Sequence, residues 1–449
     1  MKTVPPSEVL FKTLKAENET WLGDVFVPPP VFERLASDHS VILYGEPGSG
    51  KTAARLELMK RSPNVFTPLW KPEPIMETPA TGTALAAQSM GRVLRACVEA
   101  LIWEAGLPKR LNEPPGFIAS ALQWFLKTCL PYDPLAYLQN QPGRLDGDEM
   151  KWYEKLLAEN QPSVITEQTG LKDRMQLLLS IVRHAKYDGL WVMADELERW
   201  DALRAGEQVE AQLDAILSTL VLLDVPGIAF KLFLPSSLRK VVGKTSGVSR
   251  RRAAEVDLEW TAGDLKTMLE RRASYALSSS VTLRSLCDEN LFDGWLREYG
   301  GSAPRDWLRF TAPLIAEFQK QGKRLSADQT RAFILRHPAP LRLGRDRREV
   351  WLGKKCIPIG SAYEFRILDY LASHPGKIGS LEELYYYAQA ELESVPDSGE
   401  PKWVPRKTWR AAMDTMIWRL RQKMEPNPGE PLYLVTHHGK GLELLHVEA

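Results

Sequence analysis

The run Val41-Ile42-Leu43-Tyr44 leads into Gly45-Glu46-Pro47-Gly48-Ser49-Gly50-Lys51-Thr52 and then into Ala53-Ala54-Arg55-Leu56-Glu57-Leu58-Met59. No other stretch narrows the possible folds as far. A short apolar run, a glycine-rich turn and the opening of a helix reproduce strand, G-x-x-x-x-G-K-[ST], helix, the full context that a phosphate-binding loop requires. Glycines at 45, 48 and 50 let backbone N–H groups turn inward around a phosphate, some at φ values closed to other residues. The helix that opens near Lys51 adds its positive N-terminal end. In such a loop Gly45, Glu46, Pro47, Gly48, Ser49, Gly50, Lys51, Thr52 and Ala53 line a nucleotide's phosphates. The Lys51 ammonium reaches the β- and γ-phosphates, and the Thr52 hydroxyl takes one place on Mg²⁺. The competing explanation, a glycine-rich turn with a chance lysine, does not account for the flanking context.

At 449 residues the chain is too long for one ordinary core, and a prior of roughly 150 residues per domain implies about two to four domains. Lys and Arg together number 58 against 57 Asp and Glu, so any basic surface has to be local. No apolar run approaches the roughly 18 residues of a membrane span, and the first residues lack the continuous apolar core of a signal peptide. Membrane partners are therefore not expected. Cys97, Cys129, Cys287 and Cys356 are far apart and form no C-x-x-C, which fits reduced, structural cysteines and a cytoplasmic location.

Taken in order, residues 1–30 form a lead-in that ends in Val27-Pro28-Pro29-Pro30. Asn64 to Trp70 reads as a second strand, and prolines 68, 72, 74 and 79 then enforce a loop. Apolar residues recur at helical spacing from Thr83 to Ala105, followed by helices at Phe117 to Leu130 and Glu149 to Glu159. About 111–164 is more chain than a minimal nucleotide core needs, and we read it as a helical insertion. Leu171 to Ala185 is a periodic helix that feeds Gly189-Leu190-Trp191-Val192-Met193-Ala194-Asp195-Glu196. An apolar strand ending in Asp-Glu is the Walker B pattern: Asp195 would hold Mg²⁺ through water and Glu196 would act as general base. After a helix at Ala211 to Leu223, the strand Gly227 to Leu234 ends at Pro235-Ser236-Ser237, where Ser236 or Ser237 is either a γ-phosphate sensor or a helix cap. A basic run, Arg239 to Arg252, follows. It reads as a solvated face, a loop that offers an arginine to a neighbouring subunit, or a nucleic-acid contact. Thr261 caps a helix over Asp264 to Arg272, and Ser326 with Gln329 forms a capping box for another.

The order of phosphate loop, Asp-Glu strand, sensor strand and helices opening on Trp260-Thr261-x-x-Asp264-Leu265 and reaching Gly301-Ser302-x-Pro304-Arg305-Asp306 resembles the AAA+/STAND branch of P-loop ATPases. Asp195-Glu196-Leu197-Glu198-Arg199-Trp200 is similar to the Walker B of one prokaryotic group in that branch. The resemblance implies ATP and Mg²⁺ as ligands, an ATPase converting ATP and water to ADP and phosphate, Lys51 and Glu196 as catalytic residues, Arg305 as a lid arginine that senses the γ-phosphate, and a possible homo-oligomer. Pro235 stands where such relatives often carry a charged residue, which suits a slow nucleotide switch.

Beyond Pro338 and Pro340 come short alternating strands, helices at Ala362 to Ser373, from Ser380 and from Arg406 to Met424, and a closing hairpin. Glu364-Phe365-x-Ile367-Leu368-x-x-Leu371, His374-Pro375-Gly376, Met413-Asp414-x-x-Ile417-x-Arg419-Leu420-Arg421-x-Lys423 and Val435-Thr436-x-x-Gly439-Lys440-Gly441 together resemble the OmpR/PhoB-type winged helix of bacterial transcription regulators. That family puts its third helix in the major groove and its wing in the adjacent minor groove. The resemblance implies DNA contacts from Lys407, Arg410, Arg419, Arg421, Lys423 and Lys440. Leu442-Glu443 replaces the usual Tyr-Arg of the wing, and Trp418 stands at an often basic position, so a winged helix that binds protein instead stays open.

The fold expected is an α/β P-loop NTPase core (a parallel sheet with helices on both faces) over 31–255, a helical lid over 256–337 and a C-terminal α+β winged helix-turn-helix over 338–449. The function expected is an ATP-binding, slowly hydrolysing switch that engages DNA and acts with a separate effector protein, in bacterial defence or mobile-element regulation. The alternatives are an initiator- or loader-type or transcription-regulating DNA-binding ATPase, and an ATP-regulated scaffold that does not touch DNA.

Overall fold

Strands that are apolar on both faces are stable only inside a sheet covered twice, and β1 (Ser40–Gly45), buried along its whole length, holds such a place. A computed structural model of the chain describes residues 11, 15–71, 82–141, 143–159, 163, 165–166, 169–196, 213, 217, 225–242, 253–392 and 394–448. Prolines 72, 74 and 79, the stretch Leu197 to Trp200, most of the helix read at Ala211 to Leu223 and the basic run from Gly243 to Arg252 lie outside them. The other strands of the sheet are β2 (Val65–Phe66), β3 (Leu69–Trp70), β4 (Gly189–Ala194), β5 (Ile228–Pro235) and β6 (Ala253–Asp257). Their spatial order is β2-β4-β5-β1-β6, with β3 also on β4, and every pairing is parallel.

Alternation sorts the side chains. Ile42 and Tyr44 join Leu190, Val192, Phe230 and Leu232 in one core, while Val41 and Leu43 join Trp191, Met193, Ala229 and Phe233 in another. α1 (Lys51–Arg61) and the short turns Leu22–Val25 and Phe32–Leu35 cover the second core. The first is covered by α2 (Gly82–Trp103), α3 (Gly116–Cys129), α4 (Gly147–Ala158) and α5 (Leu171–His184). The region read as an insertion thus sends Ile118, Phe125 and Tyr153 into the same core as the sheet.

Two readings change. The strand expected over Asn64 to Trp70 is broken in two at Thr67-Pro68: Pro68 has no N–H to give, but its carbonyl accepts from Met193 N–H at 2.9 Å. Val256, read as the start of a helical lid, lies on β6, paired with Leu43 of β1. Of Ala253–Asp257 only Val256 is a strong strand former, and Glu255 and Asp257 are charged, so its strand character comes from that neighbour.

Contacts divide the chain into two compact units, Lys15–Trp260 and one that holds Thr261–Ala449. The latter opens with α6 (Ala262–Leu277), α7 (Glu289–Tyr299), α8 (Pro304–Gln321) and α9 (Ala327–Arg336). Reciprocal capping boxes start α6 (Thr261 with Asp264) and α9 (Ser326 with Gln329). An antiparallel sheet of β7 (Leu341–Gly344), β8 (Glu349–Leu352) and β9 (Lys355–Pro358) follows, then α10 (Ala362–Ser373), α11 (Leu381–Ala390), α12 (Arg406–Met424) and the hairpin β10 (Leu434–His437)/β11 (Gly441–Leu444). The helical and α+β parts are joined within this unit: Lys354 N–H donates to Tyr299 O at 2.8 Å and Tyr433 Oη to Ala339 O at 2.9 Å. The buried Glu425 carboxylate accepts N–H bonds from Leu432, Tyr433 and Leu434 at 2.7–3.2 Å, which sets the entry to the hairpin. Gly441 (φ 146°) must be glycine, because a Cβ there would come within 1.9 Å of Gly379 O. Among the described residues no helix is long and apolar enough to cross a membrane.

Of the buried charged residues in the first unit, Lys231 sits deepest. Lys231, fully buried in the middle of β5, donates to Ser37 O and His39 O over the Trp191 ring. Burial pulls its pKa from 10.5 down to about 8. The unfolded chain therefore holds this proton more tightly between those values, and the contribution to stability is complete above 10.5 and lost as pH falls through about 8. In urea titrations, the wild type should gain stability over a Lys231→Met variant as pH rises from about 8 toward 10, by up to roughly 3 kcal/mol. A gap that does not change with pH would refute the assignment.

Candidate functional site

β1 runs into the loop at its carboxyl end, and the chain leaves it in one direction while returning on the other side. After α1 it passes β5 and β4 to reach β2, whereas the link from β5 to β6 crosses to the opposite flank of β1. Such a reversal opens a crevice beyond the strand ends, where α/β sheets bind ligands. Gly48 (φ 83°) and Gly50 (φ 96°) take the left-handed conformations that turn successive N–H groups one way. Ser49 N–H closes the turn on Glu46 O at 3.1 Å. Lys51 begins α1 and is 4% exposed, its ammonium drawn over the loop carbonyls of Gly45 (2.9 Å) and Glu46 (3.3 Å). The Ser49 hydroxyl is buried with no hydrogen-bond partner among the described residues, a polar group left for a ligand to meet. Thr52 and Ala53 are half-buried, and Glu46 and Pro47 are exposed. Trp260 covers the loop, its indole N–H donating to Ser49 O at 2.8 Å.

The strand-end carboxylates lie in the same unit, and both are already held. Asp195 Oδ2 accepts from Arg55 Nε at 2.8 Å, with the two side chains 1% and 4% exposed, and Asp195 Oδ1 accepts from Glu196 N–H at 2.8 Å. Glu196 has φ 68° and its carboxylate lies 2.6 Å from Lys71 Nζ, just past β3. Gly45 pairs with Pro235, so Ser236 and Ser237 follow beside the start of the loop, Ser236 half-buried and Ser237 exposed. Arg239 lies there too, its guanidinium 4.5 Å from the Tyr44 ring centre and paired with Asp257. Arg305 is exposed on the first turn of α8, in the other unit.

Arg55, Lys71 and Trp260 escaped the sequence reading as site residues, and Arg239 entered it only as the first residue of the basic run. Arg55 alone left a trace: Lys51, Ala54, Arg55 and Leu58 share the buried face of α1, and a charge on such a face requires a partner. Lys71 and Trp260 are positioned by pairing and packing that spacing does not encode.

On α12, Trp409, Met413, Met416, Ile417, Leu420 and Met424 face inward, which turns Lys407, Arg410 and Trp418 outward, Trp418 being 61% exposed. Arg410 lies 3.4 Å from Asp414, and Arg419 is exposed at 4.0 Å from Glu364. Arg421 and Lys423 hold the scaffold. Arg421 donates to Leu434 O at 2.8 Å and Thr436 Oγ1 at 2.7 Å, and desolvation lowers its pKa; Lys423 sits 2.7 Å from the buried Glu364. Lys440 is exposed at the hairpin tip, and Glu443 is paired with His437 at 2.7 Å.

No family model matches the chain. Protein PetR of Rhodobacter capsulatus is 32% identical over 106 residues, 23% of this chain, and the chain spans 40% of that relative's length. Among solved structures, the Orc1 protein of Aeropyrum pernix in complex with DNA is 13% identical with a TM-score of 0.36, the alignment covering 98% of this chain and 93% of that one. The Aeropyrum pernix ORC2 protein gives 12%, 0.34, 90% and 99%, and Cdc6p from Pyrobaculum aerophilum gives 12%, 0.32, 98% and 94% in the same order. At these TM-scores the likenesses are loose and add nothing to the site's geometry.

The two kinds of basic residue on α12 should separate in urea titrations. Arg421→Ala frees a half-buried carbonyl and should cost about 1–2 kcal/mol, whereas Lys407→Ala and Arg410→Ala should stay within about 0.5 kcal/mol of wild type. Equal losses would show that Arg421 is not holding the hairpin.

Proposed function

We propose that the chain is an ATP-binding, slowly hydrolysing P-loop ATPase of AAA+ type that engages DNA through α12 and the closing hairpin. One observation carries the nucleotide half: left-handed Gly48 and Gly50, the unpartnered Ser49 hydroxyl and the Lys51 ammonium converge at the end of the central strand. These residues fit a polyphosphate. ATP supplies the transferable phosphoryl group; Lys51 would exchange its loop carbonyls for phosphate oxygens, and Glu196 would orient and deprotonate the attacking water. Mg²⁺ fits less well, because Thr52 offers a hydroxyl but Asp195 is already paired with Arg55. Glu196 is engaged by Lys71 through one oxygen, a pairing that makes it a weaker base and is consistent with a slow cycle.

The DNA half is supported by Lys407, Arg410, Arg419 and Lys440, exposed on α12 and the hairpin tip, while Glu443 beside the wing is engaged by His437 at 2.7 Å. A nucleotide site and a DNA-facing module in one chain make an initiator- or loader-type DNA-binding ATPase the reading we place first. A switch acting beside a separate effector in defence calls for a second protein.

Lys51→Ala should lose ATP binding, measured by calorimetry, by at least about a hundred-fold, and binding equal to wild type would end the nucleotide reading. Glu196→Gln should keep ATP binding and abolish phosphate release; turnover at the wild-type rate would remove Glu196 from its role. On a mixed-sequence duplex, an Arg410/Arg419 double alanine variant should bind more weakly and with a shallower salt dependence. No duplex binding by the wild type, with or without ATP, would favour the protein-contact alternative.

A further inference from the structure

The carboxylate expected to hold the metal is not available to one. Asp195 spends one oxygen on Arg55 Nε and the other on Glu196 N–H, both at 2.8 Å. A guanidinium stays charged at any physiological pH. With the two side chains 4% and 1% exposed, little water remains to screen the pair or to take over if either partner left. Arg55 is also fixed from its own helix: it stands one turn beyond Lys51, and its Nη1 lies 3.6 Å from Met59 Sδ. The neighbouring carboxylate, Glu196, is matched by Lys71 at 2.6 Å. Asp195 and Glu196 are thus each matched by a cation, Arg55 and Lys71, where a divalent ion would otherwise meet a double negative charge.

We propose that Arg55 is a built-in cation that takes the place of the metal at Asp195, so that ATP loads onto the loop with little dependence on Mg²⁺. The inference rests on the nucleotide reading above and specifies the ionic requirement of that site. Arg55 is here a positioning residue, acting on Asp195 rather than on the nucleotide. Lys51, the loop amides and the Ser49 hydroxyl then carry the affinity for phosphate, and Thr52 is the loop side chain left to meet a metal that arrives with the nucleotide.

Calorimetry of ATP binding to the full chain, in excess Mg²⁺ and in excess EDTA, tests this. The wild-type affinities should agree within about three-fold. In Arg55→Met, which frees Asp195, Mg²⁺ should strengthen ATP binding by at least about ten-fold, and Arg55→Lys, which keeps a cation beside Asp195, should behave like wild type. A wild-type affinity that falls ten-fold or more in EDTA (a loss of about 1.4 kcal/mol) overturns the inference and leaves the nucleotide site standing. The same holds if Arg55→Met folds, as judged by its melting curve, and stays indifferent to Mg²⁺. Should that variant fail to fold, the wild-type and Arg55→Lys measurements decide. No ATP binding in either condition, or binding unchanged in Lys51→Ala, overturns the nucleotide reading and this inference with it.

Discussion

Burial of β1 on both faces is the constraint from which the rest of the first unit follows. A strand with no wet side needs parallel neighbours and helices above and below. The alternation of Val41 and Leu43 against Ile42 and Tyr44 assigns one core to each side. Sealed on both faces, the strand can present its polar backbone only at its ends. At the carboxyl end the chain turns through Gly48 and Gly50 before α1 begins, so the loop amides and Lys51 meet at the end of the central strand.

The buried charges described at the centre of this unit each have a partner. Lys231 is satisfied by carbonyls, Asp195 by Arg55 and Glu196 by Lys71. An unpaired charge in these positions would be costly, so the acidic end of β4 is electrically closed as it stands. Opening it requires another charge to replace one of these partners.

In the second unit the same economy divides α12. Its apolar stripe, Trp409 through Met424, anchors the helix, and the anchoring decides which basic residues can face a partner. Arg421 and Lys423 point back to the hairpin and to Glu364, while Lys407 and Arg410 point out. Glu425 and Gly441 hold the hairpin in register against α12 and Gly379, so the outward residues sit on a rigid support.

The loop, its helix, the Asp-Glu strand and the capping boxes were readable because each depends on neighbours in the chain: glycines where φ must be positive, apolar residues at strand or helix period, a cap and its acid at fixed spacing. The sequence by itself therefore determined the class of core and where its glycine loop turns into α1. It did not determine β6, whose partly charged residues become a strand only against β1, nor that the region read as an insertion would share the sheet's own core. Nor could it reveal that Asp195 is held by Arg55, 140 positions away, or that two of the basic residues on α12 are structural. Those outcomes depend on which side chains the tertiary fold brings within hydrogen-bonding reach, and spacing along the chain carries no record of contacts made across a sheet.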